Sequence, residues 1–130
     1  MQNVVQTIRY RGLDLGEEEN MTDSILLTVR KINGAETDNT FDLDLIVNIN
    51  SVLLDLKQNG VPIPDGYRVE DELSSWSDLN LSGDLLDTVM AYLPMQVKLR
   101  FNPPQSSVEL QALKDEINKM EWRLMIEAGG

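Results

Sequence analysis

Three carboxylates, Asp38, Asp42 and Asp44, fall within one short stretch, and clustered acids are the usual oxygen ligands of a hard divalent cation. A calcium loop also needs ligands at fixed alternate positions, an internal glycine and a terminal bidentate glutamate. Here the spacing is wrong and both the glycine and the glutamate are missing, so no metal is assigned to the stretch. Glu17, Glu18 and Glu19 offer a second acidic run, and a solvated charge run is the commoner meaning of such a triplet. Ser74, Ser75, Ser77, Ser106 and Ser107 are hydroxyls without an activating partner, because the chain has no histidine; general-base and nucleophilic serine chemistry near neutral pH depends on one. The chain has no cysteine either, which removes thiol nucleophiles, thiolate zinc sites and disulfides. No phosphate-cradling glycine loop, nucleophile elbow or basic stripe with interleaved aromatics occurs. No catalytic, cofactor-binding or metal-ligating residue is therefore assigned, and the expectation is a non-enzymatic module that works by contact.

Composition narrows the kind of contact. At 130 residues the chain suits a single domain, and with aromatics at 5% its core must be built mostly from Leu, Ile, Val and Met. Formal net charge is −11, and it is unevenly spread: residues 1 to 94 hold 17 acidic side chains against 6 basic ones, whereas residues 95 to 130 hold five of each. An acidic surface repels phosphates, so tight nonspecific binding to nucleic acid is not expected. The excess serves solubility, or forms a wall past which DNA slides without sticking. No run approaches the ~18 apolar residues of a membrane span, and no signal-peptide pattern opens the chain, so the expectation is a soluble protein with no membrane partner.

The element around which the chain is organised is its last. Leu110, Leu113, Ile117, Met120 and Leu124 recur at alternating intervals of three and four, which on a helix puts them on one seam. Ser106 and Glu109 have the S-x-x-E form of a capping box. The seam requires a partner surface. Upstream, residues 1 to 20 are expected to be an irregular arm, with Val4, Val5 and Ile8 compatible with a short strand or a helical turn. Thr22 or Asp23 is expected to cap a first helix carrying Ile25, Leu26, Leu27, Val29 and Ile32 and ending near Gly34. Asn39 or Thr40 would cap a second, with Phe41, Leu45, Ile49, Val52 and Leu56 inward and a stop at Asn59-Gly60. Two prolines in Val61 to Tyr67 forbid helix there. The acidic, serine-rich stretch from Arg68 to Asn80 surrounds Trp76, which either tucks this long connection onto the helices or stands exposed as an interface anchor. Ser82 would cap a third helix to Phe101 with Leu85, Leu86, Val89, Leu93, Val97 and Phe101 inward, bent or restarted near Ala91 to Pro94 by its internal proline. Asn102-Pro103-Pro104 then ends it, and so short a connection favours antiparallel neighbours. The fold class is thus all-α: a small antiparallel bundle of about four helices over residues 21 to 130, with an N-terminal arm and a long Pro/Ser-rich loop.

Val89-Met-Ala-Tyr-Leu-Pro-Met-Gln-Val-Lys-Leu-Arg-Phe-Asn-Pro-Pro104, followed by a helix closing on Glu121-Trp122-Arg123-Leu124, resembles the head-tail connector (adaptor) proteins of tailed bacteriophages. Asn48-Ile-Asn-Ser-Val-Leu53 with the following Leu56-x-x-x-Gly60, and Ser75-Trp-Ser-Asp78, are similar to the same family. The likeness covers roughly residues 22 to 125; no single motif is diagnostic, and the ordered set is what is specific. Pro94 departs from the family pattern, and the arm before Asn20 is longer than the usual start.

The resemblance implies a virion protein of the capsid-tail junction, made in the host bacterial cytoplasm. It implies a ring, by default of twelve subunits, below the portal protein, which prolongs the DNA channel and docks the next neck, tail or neck-completion component. DNA would pass through without specific binding. On this reading one ring contact is expected on the outer faces of the second and third helices, and Trp122, Arg123, Leu124, Met125 and Ile126 are candidates for the contact with portal or a neighbouring subunit. Asp38, Asp42, Asp44, Glu70, Asp71 and Glu72 are candidates for an acidic channel wall. The competing readings are an acidic assembly chaperone and a DNA-mimic inhibitor.

Overall fold

In a computed structural model, which describes residues 23 to 35 and 38 to 129, the described chain is helical: α1 (Ile25–Ile32), α2 (Asp42–Gln58), a 3₁₀ turn (Trp76–Leu79), α3 (Gly83–Phe101) and α4 (Ser107–Gly129). Helix α1 packs on α2 and α3, α2 on α3, and α3 on α4. One cluster joins buried residues of all four helices and of the connection between α2 and α3, so α3 is the shared wall of the core. The expected arm at residues 1 to 20 lies outside the described residues.

Helix α1 starts one residue later than the expected caps allow. Thr22 lies outside the described residues, and the cap is Ser24: its backbone is extended (φ −77°, ψ 128°) and its Oγ accepts the Leu27 N–H at 3.2 Å. Asp23 instead accepts a hydrogen bond from the Ser77 hydroxyl at 3.2 Å. Ser24 also forms an isolated antiparallel bridge with Ser75, and the Ile25 N–H donates to the Ser74 carbonyl at 3.2 Å. The helix entry thus doubles as an anchor for the distant connection. Its exit runs through Asn33 into Gly34 at φ +73°, a left-handed conformation that glycine adopts without Cβ strain.

For α2 neither expected cap operates. Asp38 Oδ1 accepts the Thr40 N–H at 2.9 Å, closing a local turn, and Phe41 occupies the cap position without a side-chain bond. Asp42 and Asp44 in the first turn supply the negative charge that the helix dipole favours. Leu45, Ile49, Val52 and Leu56 are buried as their spacing requires, whereas Phe41, expected inward, is half-exposed and packs edge-on against Phe101 with ring centroids 5.6 Å apart. The helix ends at Asn59-Gly60 as expected.

The connection from Val61 to Ser82 contributes Val61, Ile63, Val69, Trp76, Leu79 and Leu81 to the core. Trp76 is fully buried and its Nε1–H donates to Thr28 Oγ1 at 3.3 Å, so of its two sequence readings the structural one holds. Asn50 grips the connection at one residue, accepting the Val69 N–H at 2.8 Å and donating to its carbonyl at 3.1 Å. A polar backbone that would be costly to bury bare is thereby satisfied by a helix side chain.

Helix α3 continues through Pro94, which is buried within it, so the helix does not begin anew there. Val89, Leu93 and Val97 are buried, and Leu85, Leu86 and Phe101 are partly so. On α4 the seam is deepest at Ile117, Met120 and Leu124, with Leu113 partly buried beside it; each fully buried side chain of this size contributes roughly 1.5–3 kcal/mol. Ser106 acts as expected at the helix start, taking the Glu109 N–H on Oγ at a long 3.4 Å and the Leu110 N–H on its carbonyl at 2.9 Å.

Candidate functional site

Arg30 of α1 is the buried charge of the fold, 5% exposed. Its Nε donates to Asp42 Oδ1 at 2.9 Å and its Nη2 to Asp42 Oδ2 and to Glu72 Oε2, the latter at 2.7 Å. Hydrogen bonding to Asp42 raises the guanidinium pKa further above its ordinary value, against the opposing effect of burial, with Glu72 adding in the same direction. One cation therefore ties α1, the start of α2 and the connection together, and it does so with two of the six acids expected to face a channel.

The structure brings four of those six together. Asp42, Glu70, Asp71 and Glu72 rim an open cavity of about 430 Å³ whose apolar lining is Leu26, Leu43, Ile46 and Leu73. Asp38 and Asp44 are exposed and stand outside that lining. Asp38 is held below the usual carboxylate range by hydrogen bonds from Thr40. Among the described residues no group of three or more acids is arranged to hold a metal ion.

The C-terminal candidates divide by face. Leu124 is buried in the seam, whereas Trp122 (66% exposed), Arg123, Met125 and Ile126 are exposed. Just beneath them, the Tyr92 hydroxyl on α3 donates to Glu121 Oε2 at 3.0 Å and accepts from Gln96 Nε2 at 2.9 Å; burial pushes the Tyr92 pKa up. This pinned network fixes α4 on α3 and so fixes where Trp122 projects. Leu56, Asn59 and Val61 line a cavity with Leu124 and Met125, which places this end of α4 beside the C-terminal end of α2.

The outer face of α2, where the sequence reading places a ring contact without naming its residues, is apolar. Leu43 (80% exposed), Val47 and Leu54 are all exposed on α2. Steps of four and eleven residues at ~100° each put them within about 40° of one another, opposite the buried row at Leu45, Ile49, Val52 and Leu56. Leu73 (86% exposed) lies beside Leu43 across the acidic cavity. The available signal was that α2 is apolar on two opposite faces, which for a surface helix calls for two partners.

No described helix is long and apolar enough to cross a membrane. No match to a curated protein or to a solved structure was found. Residues 25–130 match the family described as phage connector protein, a span that takes in all four helices, both apolar surfaces and the Arg30 tie. By that match the chain belongs to the phage head-tail connector family and is a structural phage protein.

Proposed function

We propose that this chain is a head-tail adaptor: an antiparallel bundle over residues 21 to 130 with an N-terminal arm, which assembles as a ring below the portal, twelve copies by default. The ring prolongs the DNA channel and docks the next neck or tail component. The observation that carries this reading is the presence, on one member of a connector family, of two unlike exposed apolar surfaces, one on α2 with Leu73 and one at the end of α4. Scattered single apolar residues are normal on a protein surface, whereas grouped ones mark contact sites. A closed ring of identical subunits needs two different complementary patches on each.

The end of α4, through Trp122, Arg123, Met125 and Ile126, contacts portal or a neighbouring subunit. Asp38 and Asp44 are the acids best suited to line the channel, because Asp42 and Glu72 are committed to Arg30. A wall of that sign lets DNA pass without adhesion. The test is native mass spectrometry and electron microscopy of the purified chain mixed with portal rings of the same phage. Closed rings on the portal are expected. A complex of one chain with a single client, or tight binding to a nucleic-acid enzyme with no portal complex, would replace the reading with an assembly chaperone or a DNA mimic.

A further inference from the structure

The end of α4 lies too far from the Leu43–Leu73 end of the α2 surface to cover it on the same chain. Met125 sits with Leu56 at one end of α2, and Leu43 is thirteen residues away along that helix, about 20 Å at ~1.5 Å per residue. Their chemistries differ in a complementary way. The Leu43–Leu73 end of the α2 surface is an open apolar depression rimmed by Asp42, Glu70, Asp71 and Glu72, of which Arg30 neutralises only part. The α4 surface presents a tryptophan, a methionine and an isoleucine beside Arg123; of the other charges at this end, Lys119 pairs with Glu116 at 3.8 Å and Glu121 is bound by Tyr92. Tryptophan is the residue most often found as the anchor of an interface when it seats in a pocket on the partner.

Self-pairing does not suit the depression. Two copies of it facing each other would bring eight carboxylates to one contact, and like charges across an interface are costly. Pairing the α4 end with the depression sets the Arg123 guanidinium against an acidic rim and needs only a second copy of this chain. Because the patches are unlike, that contact is head-to-tail and propagates from subunit to subunit.

From this we infer that the end of α4 on one subunit, led by Trp122 and Ile126, seats in the Leu43–Leu73 depression of the next, with Arg123 directed to its acidic rim. The inference rests on the ring proposed above and assigns that ring's subunit contact, leaving other surfaces to the portal. Arg123 is exposed, and among the described residues its one polar contact is a long 3.9 Å approach of Nη1 to the Met120 sulfur.

The absence of cysteine makes the test direct. Two single-substitution proteins, Leu73→Cys and Lys119→Cys, distinguished by mass, are mixed in the presence of portal rings and treated with a short bismaleimide; Lys119 lies one turn before Trp122, so the anchor itself is kept. Both positions are well exposed, so the fold tolerates the changes. The mixed 73–119 product is expected to exceed either homodimer roughly tenfold, and Arg123→Glu in the Lys119→Cys chain should lower it severalfold, as expected for a steering charge. Glu70→Lys in the other chain should restore it. Homodimers in equal yield, a mixed product no more frequent than with a Glu109→Cys control, or links from Leu73→Cys to portal alone would each overturn the assignment. Binding of the unsubstituted chain to portal rings is read separately by electron microscopy. Rings without the 73–119 link refute this interface and leave the adaptor reading standing, whereas the link without portal binding does the reverse.

Discussion

Replacing Arg30 by methionine removes a charge from the interior while keeping a long apolar stem. Two groups lose their partner, and they are not equivalent. The Asp42 side chain is 22% exposed and receives two hydrogen bonds, whereas the Glu72 side chain is 51% exposed and receives one. Hydrogen bonds to charged groups contribute about 1.5–3 kcal/mol, so the partly shielded Asp42 pair is assigned about 2.5 kcal/mol. The Glu72 contact is discounted to about 0.5 kcal/mol, because solvent screens a half-exposed pair. Methionine returns about 1 kcal/mol, because it keeps the apolar stem packed and no cation has to be desolvated, while the partly exposed Asp42 and Glu72 are left to water. The net expectation is a loss of about 2 kcal/mol, which for a domain of this size lowers Tm by about 8 °C. Urea unfolding followed by circular dichroism measures it, and a double-mutant cycle with Asp42→Asn and Glu72→Gln divides it. A variant within about 0.5 kcal/mol of the parent, or a Glu72 coupling as large as that of Asp42, would show that burial does not rank these contacts as argued.

The remaining predictions concern the connection between α2 and α3. Trp76→Ala should cost about 3–5 kcal/mol by leaving a cavity, and Trp76→Phe considerably less, since it forfeits mainly the bond to Thr28. A stable Trp76→Ala protein that fails only to assemble would instead make this residue an interface anchor. Burial, helped by the charge of Asp78, pushes the Tyr67 pKa up to about 12; an unfolded chain titrates near 10, taking the usual tyrosine value. Between those values the unfolded state has already lost a proton that the folded state keeps, so the stabilisation is complete below about pH 10 and is lost as pH rises through about 12. Urea midpoints should therefore fall across that window, and Tyr67→Phe should flatten the slope. An unchanged slope in Tyr67→Phe would assign the alkaline loss elsewhere.

Helix periodicity made the inner faces of α2, α3 and α4 legible, because a three-four repeat has one physical meaning on a cylinder. Caps were less so. Ser24 outcompetes its neighbour because the backbone there pairs with Ser74 and Ser75, a contact some fifty residues distant that no local pattern carries. Phe41 had the spacing of a core residue and lies at the margin, where the helix has barely begun. Pro94 threatened a restart that the surrounding packing of α3 overrides, since a buried proline loses one hydrogen bond and keeps its apolar contacts. The acidic residues were visible as a count, but not their division between an internal tie and an open rim: nothing local marks Arg30 as the cation that joins residues 42 and 72. The outer face of α2 is expected from the sequence as a contact, but not its apolar residues Leu43, Val47 and Leu54, because the opposite row already accounts for the helix.

The Arg30 tie and the Leu43–Leu73 depression are built from the same segment. Arg30 holds Glu72 against the start of α2, and Leu73 follows it directly, so the tie helps set Leu73 beside Leu43, together with Asp71 Oδ1, which accepts the Leu73 N–H at 2.9 Å. Arg30 itself is almost wholly inaccessible and cannot touch a neighbouring subunit. The Arg30→Met protein should then assemble less well than its residual stability alone implies, under conditions where it is still fully folded. Loss of assembly proportional to the unfolded fraction would mean that the depression is formed without the tie. Retained assembly in a folded Arg30→Met chain would mean that Leu73 does not need it. Either result separates holding the fold from presenting the surface, which here are assigned to the same guanidinium.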